Sequence, residues 1–203
     1  PTGNPLREAT MDDLEAFPWP DPHNPGRVRG LAEQARRLHE ETEYAVVLSL
    51  PVGFVHLSQY LRGYEQWLMD IVLNPEFLDA LMDRALEWWV ALAVAVLDEV
   101  GPYVDVIGFG DDVAFHDRPM IDLTRYRRLF KPRHARMVEE LKARSKAQVL
   151  YHCCGAVVPL IDEFIDIGMD ALNPVQVSSK GMGDTAELKA RFDVDHATVE
   201  VEP

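Results

Sequence analysis

Only two cysteines occur in the 203 residues, and they are neighbours, Cys153 and Cys154. Adjacent thiols do not readily bridge to each other, so no disulfide framework exists within these residues. Thiols that stay reduced point to the cytoplasm. Positive charge is also scarce: 20 Lys and Arg stand against 34 Asp and Glu, a formal net charge of -14. The basic surface that nucleic acids or anionic membranes require is missing, and the acidic balance reads as solubility rather than as a partner. Long apolar runs are absent as well. The longest, Trp88 to Leu97, is too short to cross a bilayer. The first residues lack the basic-then-apolar plan of a signal peptide. No internal repeat stands out.

What is present is an alternation of apolar runs and helical patterns. Residues 1–43 read as a lead-in: a capping-box-like Thr10-Met11-Asp12-Asp13, the helix-excluding run Phe17-Pro18-Trp19-Pro20-Asp21-Pro22, and an amphipathic helix from Gly30 to Thr42. Successive βα units are then expected over residues 44–192. Tyr44 to Leu50 is a continuous apolar run and predicts a strand buried on both faces. Asn74-Pro75 predicts a helix start with Asn74 capping, and Gly101-Pro102 its end. Val104 to Phe109 predicts a second strand, Thr124 to Arg144 one long basic helix, and Val149 to Cys153 a third strand. Val157 to Ile167 predicts a helix closed by Gly168, and Asp170 to Asn173 a fourth strand. Strands alternating with helices make parallel βαβ units, in either an open doubly wound sheet or a barrel. No Gly-rich phosphate fingerprint follows the first strand, which counts against a dinucleotide site. Residues 193–203 alternate apolar and polar side chains, as an exposed strand or an atypical tail.

The run Tyr151-His152-Cys153-Cys154-Gly155 carries the most chemistry. Strand alternation sends His152 and Cys154 to one face and Cys153 to the other. An imidazole and a thiol at the carboxyl end of a strand form two-thirds of a catalytic zinc site, although no further cysteine is available as a third ligand. The competing reading is a buried thiol beside a histidine bonded to a backbone carbonyl. Cys153 is read as a small core hydrophobe. Asp111 and Asp112 follow the second strand, where ligands bind in parallel α/β folds, and are candidate catalytic carboxylates; capping of a loop or helix is the alternative. Gln176 after the fourth strand and Ser49 at the first are candidate substrate-binding groups. His56 is read as a packed or surface histidine, and His116 and Asp117 as weak candidates in the same loops. The basic run from Arg125 to His134 is read as a solvated helix face.

Six stretches together resemble the uroporphyrinogen decarboxylase superfamily, in its branch of zinc-dependent methyltransferase-like proteins. They are Phe17-Pro18-Trp19-Pro20-Asp21, Leu61-Arg62-Gly63-Tyr64-Glu65, Asp105-Val106-Ile107-Gly108-Phe109-Gly110-Asp111-Asp112, Lys131-Pro132-Arg133-His134, His152-Cys153-Cys154-Gly155 and Asn173-Pro174-Val175-Gln176. They stand in family order from about Pro5 to Phe192. The resemblance implies a (β/α)₈ TIM barrel with its site at the carboxyl ends of the strands. It implies zinc held by His152, Cys154 and a later cysteine that these residues lack. It also implies a thiol substrate, and a corrinoid, carried on a partner protein, as methyl donor. The alternatives are a cofactor-free decarboxylase acting on a tetrapyrrole, with Asp111 or Asp112 holding pyrrole N–H groups and Arg62 or Arg118 the carboxylates, and a non-catalytic or truncated barrel. An eight-stranded barrel typically takes roughly 250 residues, whereas about four strands are legible here, so an incomplete barrel is expected. Pro1 in place of an initiator Met agrees with that expectation. Its exposed strand edges would favour a homodimer.

Overall fold

The computed structural model describes residues 3–192 and 198–199. Four strands, β1 (Val47–Ser49), β2 (Val106–Gly110), β3 (Gln148–His152) and β4 (Ala171–Asn173), and a two-residue β5 (Thr198–Val199) form one sheet. All neighbours are parallel, and the spatial order follows the chain order. A doubly wound sheet would reverse direction at its first strand; here every crossover steps the same way, as in a barrel wall. The rest of the expected tail strand lies outside the described residues.

Between the strands run α3 (Phe54–Arg62), α4 (Tyr64–Leu73) and α5 (Pro75–Val100), then α6 (Leu123–Leu129) and α7 (Lys131–Lys142), then α8 (Ile161–Asp166), then α9 (Thr185–Phe192). The lead-in holds α1 (Met11–Glu15) and α2 (Leu31–Glu41). The capping box at α1 forms as its residues suggest, with the Thr10 N–H donating to Asp13 Oδ2 at 2.8 Å. The lead-in is tied to the body by Arg62, whose guanidinium pairs with buried Asp70 at 2.6 Å and donates to the carbonyls of Leu6 and Ala9. Helix α5 starts at Pro75 and ends before Gly101-Pro102, as its local signals dictate.

Alternation along the strands assigns two faces. Leu48, Ile107, Phe109, Val149, Tyr151 and Leu172 turn toward the helices, with Ile107, Val149 and Tyr151 fully buried. Aromatic rings lock this layer: Trp89 of α5 meets Phe109 at 5.3 Å, Phe109 meets Tyr151 at 5.4 Å, and Tyr151 meets Phe164 of α8 at 5.0 Å. Each such side chain contributes about 1.5–3 kcal/mol through burial. The opposite face carries Val47, Ser49, Val106, Gly108, Gly110, Leu150, His152, Ala171 and Asn173.

Several expectations need correcting. Two-sided burial does not hold: β2 and β3 alternate between buried and partly or fully exposed positions, because among the described residues only one face is covered by helices. The first strand is three residues long rather than seven, and both Tyr44 and Val47 are exposed. Among the described residues β1 pairs with β2, over that short ladder. The single helix expected from Thr124 to Arg144 is two, since Pro132 in the first turn of α7 has no N–H to continue α6. Asn74 precedes Pro75 as expected, but its side chain makes no capping bond. The expected helix from Val157 to Ile167 begins as one 3₁₀ turn, Val158–Leu160, before α8.

Candidate metal centre

The carboxyl ends of β2, β3 and β4 lie level. Gly110 pairs with His152, and His152 with Asn173. Gly110 is required at that point: a Cβ there would come within 2.8 Å of both Cβ and the carbonyl oxygen of His152. The chain then leaves β2 through Asp111 and Asp112, which are laced to the end of β3. The Asp111 N–H donates to the His152 carbonyl at 3.1 Å, and the Cys154 N–H donates to Asp112 Oδ1 at 2.7 Å. The Val113 N–H points at Cys153 Sγ, 3.4 Å away.

This lacing brings three donors together. One ligand atom each from Asp112, His152 and Cys154 lies within 4.8 Å of the other two. Cys154 Sγ is 3.5 Å from His152 Nε2. On the other side of the ring, His152 Nδ1 is 3.0 Å from Asn173 Oδ1. A carboxamide oxygen only accepts, so Nδ1 carries the proton and Nε2 keeps its lone pair for a ligand. Imidazole nitrogen, thiolate sulfur and carboxylate oxygen are the donors zinc takes, in a three-ligand arrangement that leaves a position for substrate. The donor set therefore fits the metal that the sequence pointed to. Within these residues the cluster's third donor is the Asp112 carboxylate; the later cysteine that the resemblance implies has no counterpart here.

The two aspartates have different surroundings. Asp112 is about a third exposed, at the mouth. Asp111 is sealed in: its oxygens accept the N–H groups of Val55 and His56 at 3.2 and 2.9 Å, at the start of α3. It therefore caps a helix whose own N-cap residue, Gly53, offers no side chain. Gly53 is needed for this, since a Cβ there would meet Asp111 Oδ2 at 2.2 Å. Behind Asp111, the buried His134 of α7 places Nε2 3.3 Å from Oδ2, and the Tyr126 hydroxyl lies 3.3 Å from His134 Nδ1.

His56 stands between the two carboxylates, with Nδ1 3.6 Å from Asp111 Oδ1 and Nε2 3.7 Å from Asp112 Oδ2. Its ring stacks on Tyr60. Sequence reasoning set His56 aside as a packed or surface residue, and missed Asn173 as the partner of His152. The strand register puts Asn173 beside His152, and the bond from the His56 N–H to Asp111 puts His56 at the carboxylates; a lone sequence displays neither. Burial, and then the charge of Asp112, push the Tyr64 hydroxyl above its ordinary range. Burial pushes the Cys153 thiol up strongly, which keeps it protonated and agrees with its reading as a core residue.

The remaining candidates divide. Ser49 lines a groove of about 300 Å³ on the inner face, beside Gly108, Gly110, Leu150, His56 and His152. Gln176 Oε1 accepts the Gly155 N–H at 2.7 Å and so braces the loop that follows His152 and Cys154. His116 lies apart, against Ser179, and Asp117 pairs with Arg118. Most of the basic run is engaged within the molecule: Arg125 with Asp122, Arg127 and Lys131 with Glu163, and Arg133 with Asp79 and Asp83. No helix among the described residues is long and apolar enough to cross a membrane.

A barrel-type βα wall with a nitrogen–sulfur–oxygen donor cluster at its carboxyl end defines the class. The chain belongs to the uroporphyrinogen decarboxylase (URO-D) family, whose model matches residues 2–184. Among solved structures it is similar to a methyltransferase from Methanosarcina mazei, at 20% identity and a TM-score of 0.58, over 85% of this chain and 48% of that one. The chain thus spans about half the length of that enzyme, and at this identity the likeness establishes the fold. No protein of curated function matches.

Proposed function

We propose that this chain carries the metal-binding wall of a zinc-dependent methyltransferase that moves a methyl group from a corrinoid, held on a partner protein, to a thiol. The observation that supports it is the convergence of Asp112, His152 and Cys154 at the barrel mouth. These three residues would hold zinc. Bound zinc supplies the Lewis acidity that favours the deprotonated form of a thiol, which is otherwise mostly protonated at neutral pH. Asn173 fixes the His152 tautomer that such binding needs. The groove beside His152, floored by Gly108 and Gly110, gives a thiol-bearing substrate room to approach from the barrel interior.

Decarboxylation of a tetrapyrrole is served less well. Asp111 commits its oxygens to α3, which leaves Asp112 alone for pyrrole N–H groups. Arg62 is buried against Asp70 and so does not stand ready for a substrate carboxylate.

Metal analysis of the purified chain tests the proposal. Near-stoichiometric zinc is expected, and its loss in His152→Ala and Cys154→Ala variants that retain the native circular dichroism. Methyl transfer from methylcobalamin to a small thiol should fall with the metal. A folded, metal-free protein that decarboxylates uroporphyrinogen would overturn the assignment.

A further inference from the structure

We infer that Asp111 is the positioning residue of the metal centre: its buried carboxylate does more than cap α3, and sets the direction in which Asp112 meets His152 and Cys154. The inference rests on the metal-site reading above. Asp111 is anchored on every side. Its N–H donates to the carbonyl of His152 itself, and its own carbonyl accepts the buried Tyr151 hydroxyl at 2.8 Å. Its carboxylate accepts two N–H groups from the first turn of α3 and faces His134. A residue held at N–H, carbonyl and side chain has almost no freedom left, and the next residue in the chain inherits that fixed direction. Asp112 leaves from this point and accepts the Cys154 N–H.

A second path leads to the same place. Holding the first turn of α3 places His56, whose ring is 3.7 Å from Asp112 Oδ2 on one edge and 3.6 Å from Asp111 Oδ1 on the other. Asp111 thus acts on Asp112 through the backbone and through His56. Groups standing behind a metal ligand typically change affinity by about 10–100-fold when removed. A helix cap alone would lower stability without touching the metal donors.

Two readouts on the full chain separate these roles. One is amide hydrogen exchange resolved by residue, without metal; the other is zinc affinity by competition with a chromophoric chelator. In Asp111→Asn the Cys154 amide, bonded to Asp112, is expected to exchange at least about tenfold faster, alongside those of Val55 and His56, with zinc affinity at least about tenfold weaker. Thr10→Ala, which removes the distant α1 cap, should lower Tm and leave both readouts unchanged. If Asp111→Asn does not fold, Gly53→Ala replaces it, since the added Cβ displaces the same carboxylate without altering its charge. Faster exchange confined to Val55 and His56, with zinc affinity at the wild-type value, would overturn the inference. A wild-type chain that binds no zinc would sink the proposed function instead, while the Cys154 amide would still decide whether Asp111 positions Asp112.

Discussion

The two faces of one sheet are built on opposite terms. The face toward the helices carries Ile107, Phe109, Val149 and Tyr151, close-packed against α5 and α8. The other face, within the same strands and one residue out of step, carries Ser49, Gly108, Gly110 and His152, open to a groove. Packing makes the outer side chains costly to change and indifferent to chemistry. Around the groove, Ser49, Gly108, Gly110 and His152 contribute little burial but shape what can approach the donor cluster.

Substitutions can break that contrast in order of size. Phe109→Ala should cost about 3–5 kcal/mol in urea unfolding, because the cavity it leaves is walled by Trp89 and Tyr151. Gly110→Ala, on the inner face, should cost about 1–3 kcal/mol through overpacking against His152, and should weaken zinc binding as well; a variant of wild-type stability and affinity would show that the inner face yields. Glu163→Gln should cost about 1 kcal/mol near neutral pH, since it removes the negative charge that faces Arg127 and Lys131 and turns one of the two acceptor oxygens into a donor. Those partners hold the Glu163 carboxyl below its ordinary value of 4.5. A depressed folded value means the contribution is full above the unfolded value and lost as pH falls through the folded one. The gap between variant and wild type in urea midpoint should therefore close in acid, below about 4.5; a gap that persists there would refute the linkage. Ser49→Ala should change stability by less than about 0.5 kcal/mol. Any effect of that substitution belongs in substrate KM, where steady-state kinetics would find it.

The same two faces account for what was legible in the sequence. Period-two alternation sends His152 and Cys154 to one side and Cys153 to the other, and that division persists just past the end of β3, with Cys153 buried and Cys154 beside His152. Local punctuation was enough for α5, since Pro75 and Gly101-Pro102 act within a turn of themselves. Signals that depend on a neighbour were not legible. The apolar run from Tyr44 to Leu50 suggested burial on two faces, but among the described residues β1 pairs with β2 and helices cover one face of the sheet. A later cysteine entered only through the family resemblance, whereas Asp112 joins the cluster of His152 and Cys154 through the register of Gly110 with His152. Asp111 and Asp112 are adjacent and chemically identical, so no local pattern separates the buried cap from the exposed donor.

The strand order has a consequence for change over generations. Because β1 to β4 stand side by side in the order in which they are encoded, each wall of the mouth belongs to one contiguous stretch of gene. His56 follows β1, Asp112 follows β2, Cys154 follows β3 and Gln176 follows β4. An insertion or exchange within a single stretch can therefore rewrite one contributor and leave the other three in place. A family built this way can alter its reaction piecemeal while inheriting its architecture unchanged.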